Sequence, residues 1–280
     1  MKKIIPFFAL MLVMWLSACQ HTADNNRPTQ LFQDSRSILL TSEKQLWPEG
    51  DTLGVDNRYS LFWPADGLLS PEDEREIILR VFGDSTATNF QQAADKWLNN
   101  SWIYEDGLPI LQKRLVDTLP VGIHYNYAKI ESDVVADSNL LTFVFNQEGL
   151  VAFAAHGLYA THYITVDLDT RRIVHLNDLV DTSRLGEVIV RAVQDLVTNK
   201  ATFDNLFGEY QHAATLPIPT DFYIDSTRST INLVYQLYEI SPYCNGIQTV
   251  VLPIFWLSKH IPITPYAKTI FGPGAYLPDD

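Results

Sequence analysis

Leu185, Val188, Ile189, Ala192, Val193, Leu196 and Val197 recur at i, i+3, i+4, i+7, i+8, i+11 and i+12. That spacing gathers every apolar side chain on one stripe of an α-helix, and predicts a long packed helix over residues 184–198. On either side of it the period is two. Val121, Ile123, Tyr125 and Tyr127 share one face, and Leu141, Phe143 and Phe145 share the next. Gly149 to Ala155 and His162 to Leu168 complete an expected antiparallel meander, with Asn146 to Gly149 as the hairpin turn between its second and third strands. Phe222 to Ile224, Ile231 to Tyr238 and Thr249 to Phe255 read as strands again. Strands grouped before and after one long helix predict an α+β fold with a mainly antiparallel sheet.

Two shorter helices are expected further upstream, after a strand at Tyr59 to Pro64. Ser70-Pro71-Glu72-Asp73 combines a capping hydroxyl, a proline at the first helical position and acids in the first turn. Ile77, Ile78, Val81 and Phe82 form the apolar face that follows. Asn89 to Asn99 places Phe90, Ala93, Ala94, Trp97 and Leu98 at helical spacing. From Thr264 onward, Pro265, Gly272, Pro273, Gly274 and Pro278 suggest an irregular tail. The body divides into an N-terminal half, residues 31–170, and a C-terminal half, residues 171–280.

With 280 residues, 46% of them hydrophobic and 19% charged, the chain can bury a sizeable core and is not a disordered polymer. It carries 20 Lys plus Arg against 33 Asp plus Glu, a formal charge of −13, and no basic cluster after the first three residues. Nucleic acid is therefore excluded as an expected partner. Two cysteines, Cys19 and Cys244, make neither a disulfide framework nor a cysteine zinc site.

The first residues carry an address. Lys2 and Lys3 precede an apolar stretch from Ile4 to Leu16, and then comes Leu16-Ser17-Ala18-Cys19. The stretch is too short to span about 30 Å of hydrocarbon as a mature anchor, and reads as a secretory signal over residues 1–18. Leu-Ser-Ala-Cys resembles the lipobox of bacterial lipoproteins. By that resemblance Cys19 is the lipidated first residue, acylated by chains such as palmitate, and the membrane is a partner through it. Acyl chains contribute about 0.8 kcal/mol per buried methylene, so such an anchor needs no transmembrane helix. Loss of residues 1–18 takes the formal charge to −15. Residues 19–30 read as a polar tether. Gln20 after the cysteine resembles the sorting choice for the outer rather than the inner membrane of the cell envelope.

Three motif segments go beyond fold class. Ala154-Ala155-His156-Gly157 ends a strand and is followed by Leu158 to Tyr163. Ile164 to Leu179 (ITVDLDTRRIVHLNDL) reads as strand, tight turn, strand and helix entry. Tyr235 to Pro253 (YQLYEISPYCNGIQTVVLP) leads into a strand. In this order they resemble the paired domains of unknown function in RsiV-type anti-sigma factors and in PdaC-type peptidoglycan deacetylases, outside the catalytic part of the latter. The resemblance covers about Tyr59 to Lys259. It departs at Ala154, where the family favours glycine, and at Arg171, where a turn glycine is usual and a different turn type is expected. It departs again at Cys244 and Asn245, which replace an Ala-Ala pair; a lone thiol there reads most simply as a small buried group.

The resemblance implies a non-catalytic, lipid-anchored binding protein. In RsiV-type proteins the corresponding domain binds lysozyme, a strongly cationic protein, and an acidic body would attract such a partner. The candidate ligand-binding residues are His156, Gly157, Tyr159, Tyr163, Tyr238, Tyr243 and Asn245. No catalytic residue, metal ligand or cofactor is assigned. Two histidines six positions apart, His156 and His162, make a poor metal site, and the acid pairs Asp133/Asp137 and Asp167/Asp169 read as solvated loop acids. Two rival readings stand beside this one: an envelope hydrolase using His156 with a nearby carboxylate, and a structural lipoprotein of an envelope complex.

Overall fold

The computed structural model describes residues 31–40, 44–45, 52–99, 123–150, 156–196, 206, 209–210 and 213–276. Residues 1–18, Cys19, the tether and Ala154-Ala155 lie outside the described residues. Among those described, ten strands and six α-helices make a mixed α+β fold. In chain order they are β1 (Phe32–Leu40), β2 (Lys44–Gln45), β3 (Thr52–Pro64), α1 (Pro71–Phe82), α2 (Phe90–Asn99), β4 (Ile123–Asp137), β5 (Leu140–Leu150), β6 (Leu158–Asp167) and β7 (Arg172–Ile173). Then come α3 (Leu176–Leu179), α4 (Leu185–Leu196), β8 (Asp221–Asp225), β9 (Thr230–Tyr235), β10 (Gln248–Pro253), α5 (Ile254–Leu257) and α6 (Pro265–Phe271).

The first sheet runs β1-β3-β4-β5-β6-β7, with β2 on β3; the second runs β10-β9-β8. All pairs are antiparallel except β3 with β4, which α1 and α2 separate in the chain. Antiparallel strands can be joined by tight turns, whereas a parallel pair needs a long connection, and the two helices lie within that connection.

Local chemistry explains the helices. The Ser70 side chain accepts from Asp73 N at 3.1 Å, Pro71 begins α1, and Gly83 ends it at φ 67. Ile77, Ile78 and Val81 of α1 and Phe90, Ala93, Ala94, Trp97 and Leu98 of α2 cover one face of the first sheet. They meet Tyr59, Leu61 and Trp63 of β3 and Phe143 and Phe145 of β5. Full burial of one such side chain stabilises by about 1.5–3 kcal/mol. The second core holds the α4 stripe (Leu185, Val188, Ile189, Ala192, Val193) against Ile231, Leu233 and Leu252 of the second sheet. The long helix is 12 residues, preceded by a 3-10 turn at Thr182–Arg184, and α1 equals it in length.

Three expectations are corrected. Asn146 to Gly149 is not a hairpin turn but lies inside β5, because Glu148 pairs with Lys129 on one side and Tyr159 on the other. A hairpin joins β4 to β5 at Ser138-Asn139, with Ser138 at φ 57. Arg171 takes the left-handed conformation, at φ 56, the one a glycine would adopt without strain. The buried Asp167 carboxylate holds that turn by accepting from Asp169 N and Thr170 N, so it is no solvated loop acid. Asp133 and Asp137 lie in the strand β4 and not in a loop; Asp133 is exposed, as expected, while Asp137 accepts from Ser226 N and Oγ. Where an irregular tail was expected, Thr264 caps α6 by accepting from Ala267 N, and Ala267 and Phe271 join the second core. No helix among the described residues is long and apolar enough to cross a membrane.

Candidate functional site

The two cores meet along β6, whose outer edge is satisfied by side chains. Thr161 N donates to Gln236 Oε1 at 3.1 Å, and Gln236 Nε2 donates back to Thr161 O at 2.7 Å. One amide thus imitates a neighbouring strand. Two residues on, Tyr163 N donates to Asp221 Oδ1 at 3.1 Å, and Arg80 Nη2 donates to Tyr163 O at 3.0 Å.

Asp221, 4% exposed, is the hub of this seam. Its carboxylate accepts from Arg80 Nη2 at 2.7 Å, from His162 Nδ1 at 3.0 Å and from Gln236 Nε2 at 3.0 Å. Burial works to raise its pKa. The His162 hydrogen bond and charge, the Arg80 guanidinium and the Tyr163 N–H outweigh burial and hold the carboxyl below its ordinary value. Sequence reasoning missed Arg80, Asp221 and Gln236. Arg80 reads as an ordinary cation in the last turn of a helix; the one hint is a polar residue directly abutting an apolar strand at each of Asp221 and Gln236.

Beyond Gln236 the chain turns sharply. Gln236 N donates to Glu239 Oε2 at 2.8 Å, and Tyr238 between them sits at φ 64. A tyrosine in the left-handed region is strained, and it persists only where its surroundings fix it. The outcome is a ring 49% exposed at the surface.

Three other candidates gather around this ring. His156 stacks on Tyr243 with ring centroids 4.0 Å apart and planes at 24°. Tyr238 lies 5.9 Å from Tyr243, and Tyr159, 40% exposed, meets Tyr243 edge-on at 6.0 Å. His156 Nδ1 donates to Gly157 O at 3.0 Å, which leaves Nε2 as the acceptor facing the Tyr238 hydroxyl at 3.4 Å. Gly157 is forced: a Cβ there would lie 2.8 Å from Gly149 O on β5. Asn245 follows Tyr243 in the 3-10 turn Tyr243–Asn245, and Cys244 in that turn is exposed and free, not buried, because the short turn presents it outward.

Tyr163 does not join this cluster. It packs on Tyr223 at 4.8 Å, and burial pushes its hydroxyl pKa up. Tyr235 belongs to the second core, its hydroxyl donating to Pro217 O. His156 and His162 also part company: among the described residues His156 meets a carbonyl, a hydroxyl and a ring, while the carboxylate partner belongs to His162. The described residues contain no group of three metal-ligating side chains.

Two open cavities flank the Gln236–Tyr238 segment. One, of about 340 Å³, is lined by Trp97, Leu158, Tyr159 and Leu237 among others, and is mainly apolar. The other, of about 450 Å³, is lined by Arg80, His162, Thr220, Asp221 and Glu239, with Tyr238 in the wall common to both.

No protein-family model matches the chain, and no curated protein matches it. Its structure is similar to that of a DUF3298-family protein of Bacteroides fragilis, with a TM-score of 0.53 and 19% identity over 85% of this chain and 95% of that one. A DUF3298-family protein of Pseudomonas aeruginosa gives a TM-score of 0.46 and 16% identity, over 87% of this chain and 97% of that one. The first likeness shows a shared fold, that of a domain of unknown function.

Proposed function

We propose that this chain is a non-catalytic binding module of the bacterial cell envelope, lipid-anchored through Cys19, which captures a cationic protein such as lysozyme. The observation that carries the reading is the exposed aromatic cluster of His156, Tyr159, Tyr238 and Tyr243. Tyrosines of this kind supply contact area at small entropic cost and are enriched where protein surfaces bind. Arginine and lysine of a partner stack on such rings, and the acidic charge of −13 draws the partner in. The contacts of His156 favour a binding role over hydrolysis with a nearby carboxylate, since its ring stacks on Tyr243 and none of its contacts among the described residues is a carboxylate.

The reading is tested by titrating lysozyme into the chain lacking residues 1–18, with Cys19→Ser, at low and high salt. Saturable binding that weakens with salt is the expected result; binding absent at both salts would remove the lysozyme assignment. Metabolic labelling with palmitate, lost in Cys19→Ser, tests the anchor.

A further inference from the structure

The 450 Å³ cavity contains one carboxylate, that of Glu239, that forms no ion pair among the described residues. Arg80 and Asp221 balance each other at 2.7 Å, and His162 is bonded to the same aspartate. Glu239 forms no ion pair with any described residue; its recorded partner is the backbone N–H of Gln236, through Oε2. The group is half-buried, and its pKa is raised by burial first and then by the charge of Asp221. An uncompensated carboxylate in a partly desolvated wall is costly alone and gains most from an incoming cation. The neighbouring residue in the chain is Tyr238, which is 49% exposed and lines both this cavity and the other one. A planar cation can lie on that ring while its N–H groups reach the carboxylate.

From the Glu239 carboxylate, without an ion pair among the described residues, and the adjoining exposed Tyr238 at this cavity, we infer a subsite for a guanidinium group, the arginine side chain of the captured protein. This rests on the cationic-partner reading and names where that partner is gripped. Arginine fits better than lysine because its flat guanidinium both stacks and donates along two parallel N–H directions, whereas an ammonium is a hydrated point charge. The fixed turn prepares the site: the Gln236 amide is clamped to Thr161, so ring and carboxylate need little reordering on binding.

The test uses Glu239→Gln, which keeps an oxygen acceptor for Gln236 N and removes the charge. Nα-acetyl-arginine amide and its lysine counterpart are titrated into the wild-type and variant chains and followed by NMR, and lysozyme affinity is measured in parallel. Expected are a saturable response to the arginine probe centred on Tyr238 and Glu239, a weaker one to lysine, and a loss of about tenfold in affinity for both arginine probe and lysozyme in Glu239→Gln. An unchanged arginine response in folded Glu239→Gln, or lysine bound as tightly as arginine, overturns the subsite. If lysozyme does not bind but the arginine response depends on Glu239, the subsite stands and the choice of lysozyme falls. If lysozyme binds and Glu239→Gln changes neither titration, the capture reading stands and the subsite falls.

Discussion

The seam around Asp221 and the aromatic face around Tyr243 lie on either side of one short turn, yet they use polar groups in opposite ways. In the seam every oxygen of Asp221 is engaged, by Arg80, His162, Gln236 and Tyr163 N. On the face, His156 has one good hydrogen bond and a long one, and its main contact is ring stacking. Two histidines six residues apart thus belong to different kinds of surface: one locks two cores together, the other supports exposed rings. A network in which each carboxylate oxygen is paired specifies structure, even with Arg80 Nε left unpaired among the described residues, while a loosely bonded exposed aromatic group is free to exchange contacts for a partner's.

The contrast can be broken by substitution. Asp221→Ala removes the hub and leaves the part-buried Arg80 with only the longer Glu76 contact at 3.8 Å, so a loss of about 3 kcal/mol is expected in urea unfolding. Gln236→Ala exposes the edge groups of Thr161 and frees the turn, at a cost of about 1–3 kcal/mol. It should lower partner affinity as well, because Tyr238 loses its fixed position.

Tyr243→Ala should do the reverse, costing about 1 kcal/mol in stability while reducing lysozyme affinity about tenfold by calorimetry. A seam-sized stability loss in this variant would erase the distinction. The smallest effect is expected at Arg171→Gly, which relieves a left-handed residue at φ 56 and should raise stability by roughly 0.5 kcal/mol in unfolding experiments, after the entropy of glycine is offset.

Acid gives an independent handle on the seam. The Asp221 carboxyl is held below its ordinary value of 3.8, so ionised Asp221 contributes stability that is fully present above that value and is lost as pH falls through the lower folded one. The stability gap between wild type and Asp221→Asn should therefore narrow as pH falls below 3.8. A gap that is flat through that range would mean that the carboxylate is not held by its partners.

Patterns within one element were legible in the sequence; pairings between elements were not. Ser70-Pro71 announced α1, and the stripe from Leu185 announced α4, because caps and amphipathic faces are set within a few residues. The parallel partner of β3 and the Arg80–Asp221 pair, separated by 141 positions, depend on tertiary closure and leave no local period. Asn146 to Gly149 misled because turn-forming residues were overridden by pairing on both sides of β5. The face was partly legible: the motif segments contained His156, Tyr159, Tyr238 and Tyr243, but nothing in them separated Tyr163, which turns to Tyr223 instead. Glu239 was in the same segment and was overlooked, since only the structure shows that it forms no ion pair among the described residues.

The most direct test of the central claim is lysozyme titration at low and high salt against the wild-type chain and Tyr243→Ala. Saturable, salt-weakened binding that falls about tenfold in the variant, with the fold retained, is the predicted result. Binding of equal strength in wild type and folded variant, or none at either salt, would contradict the assignment of the aromatic face as the capture surface.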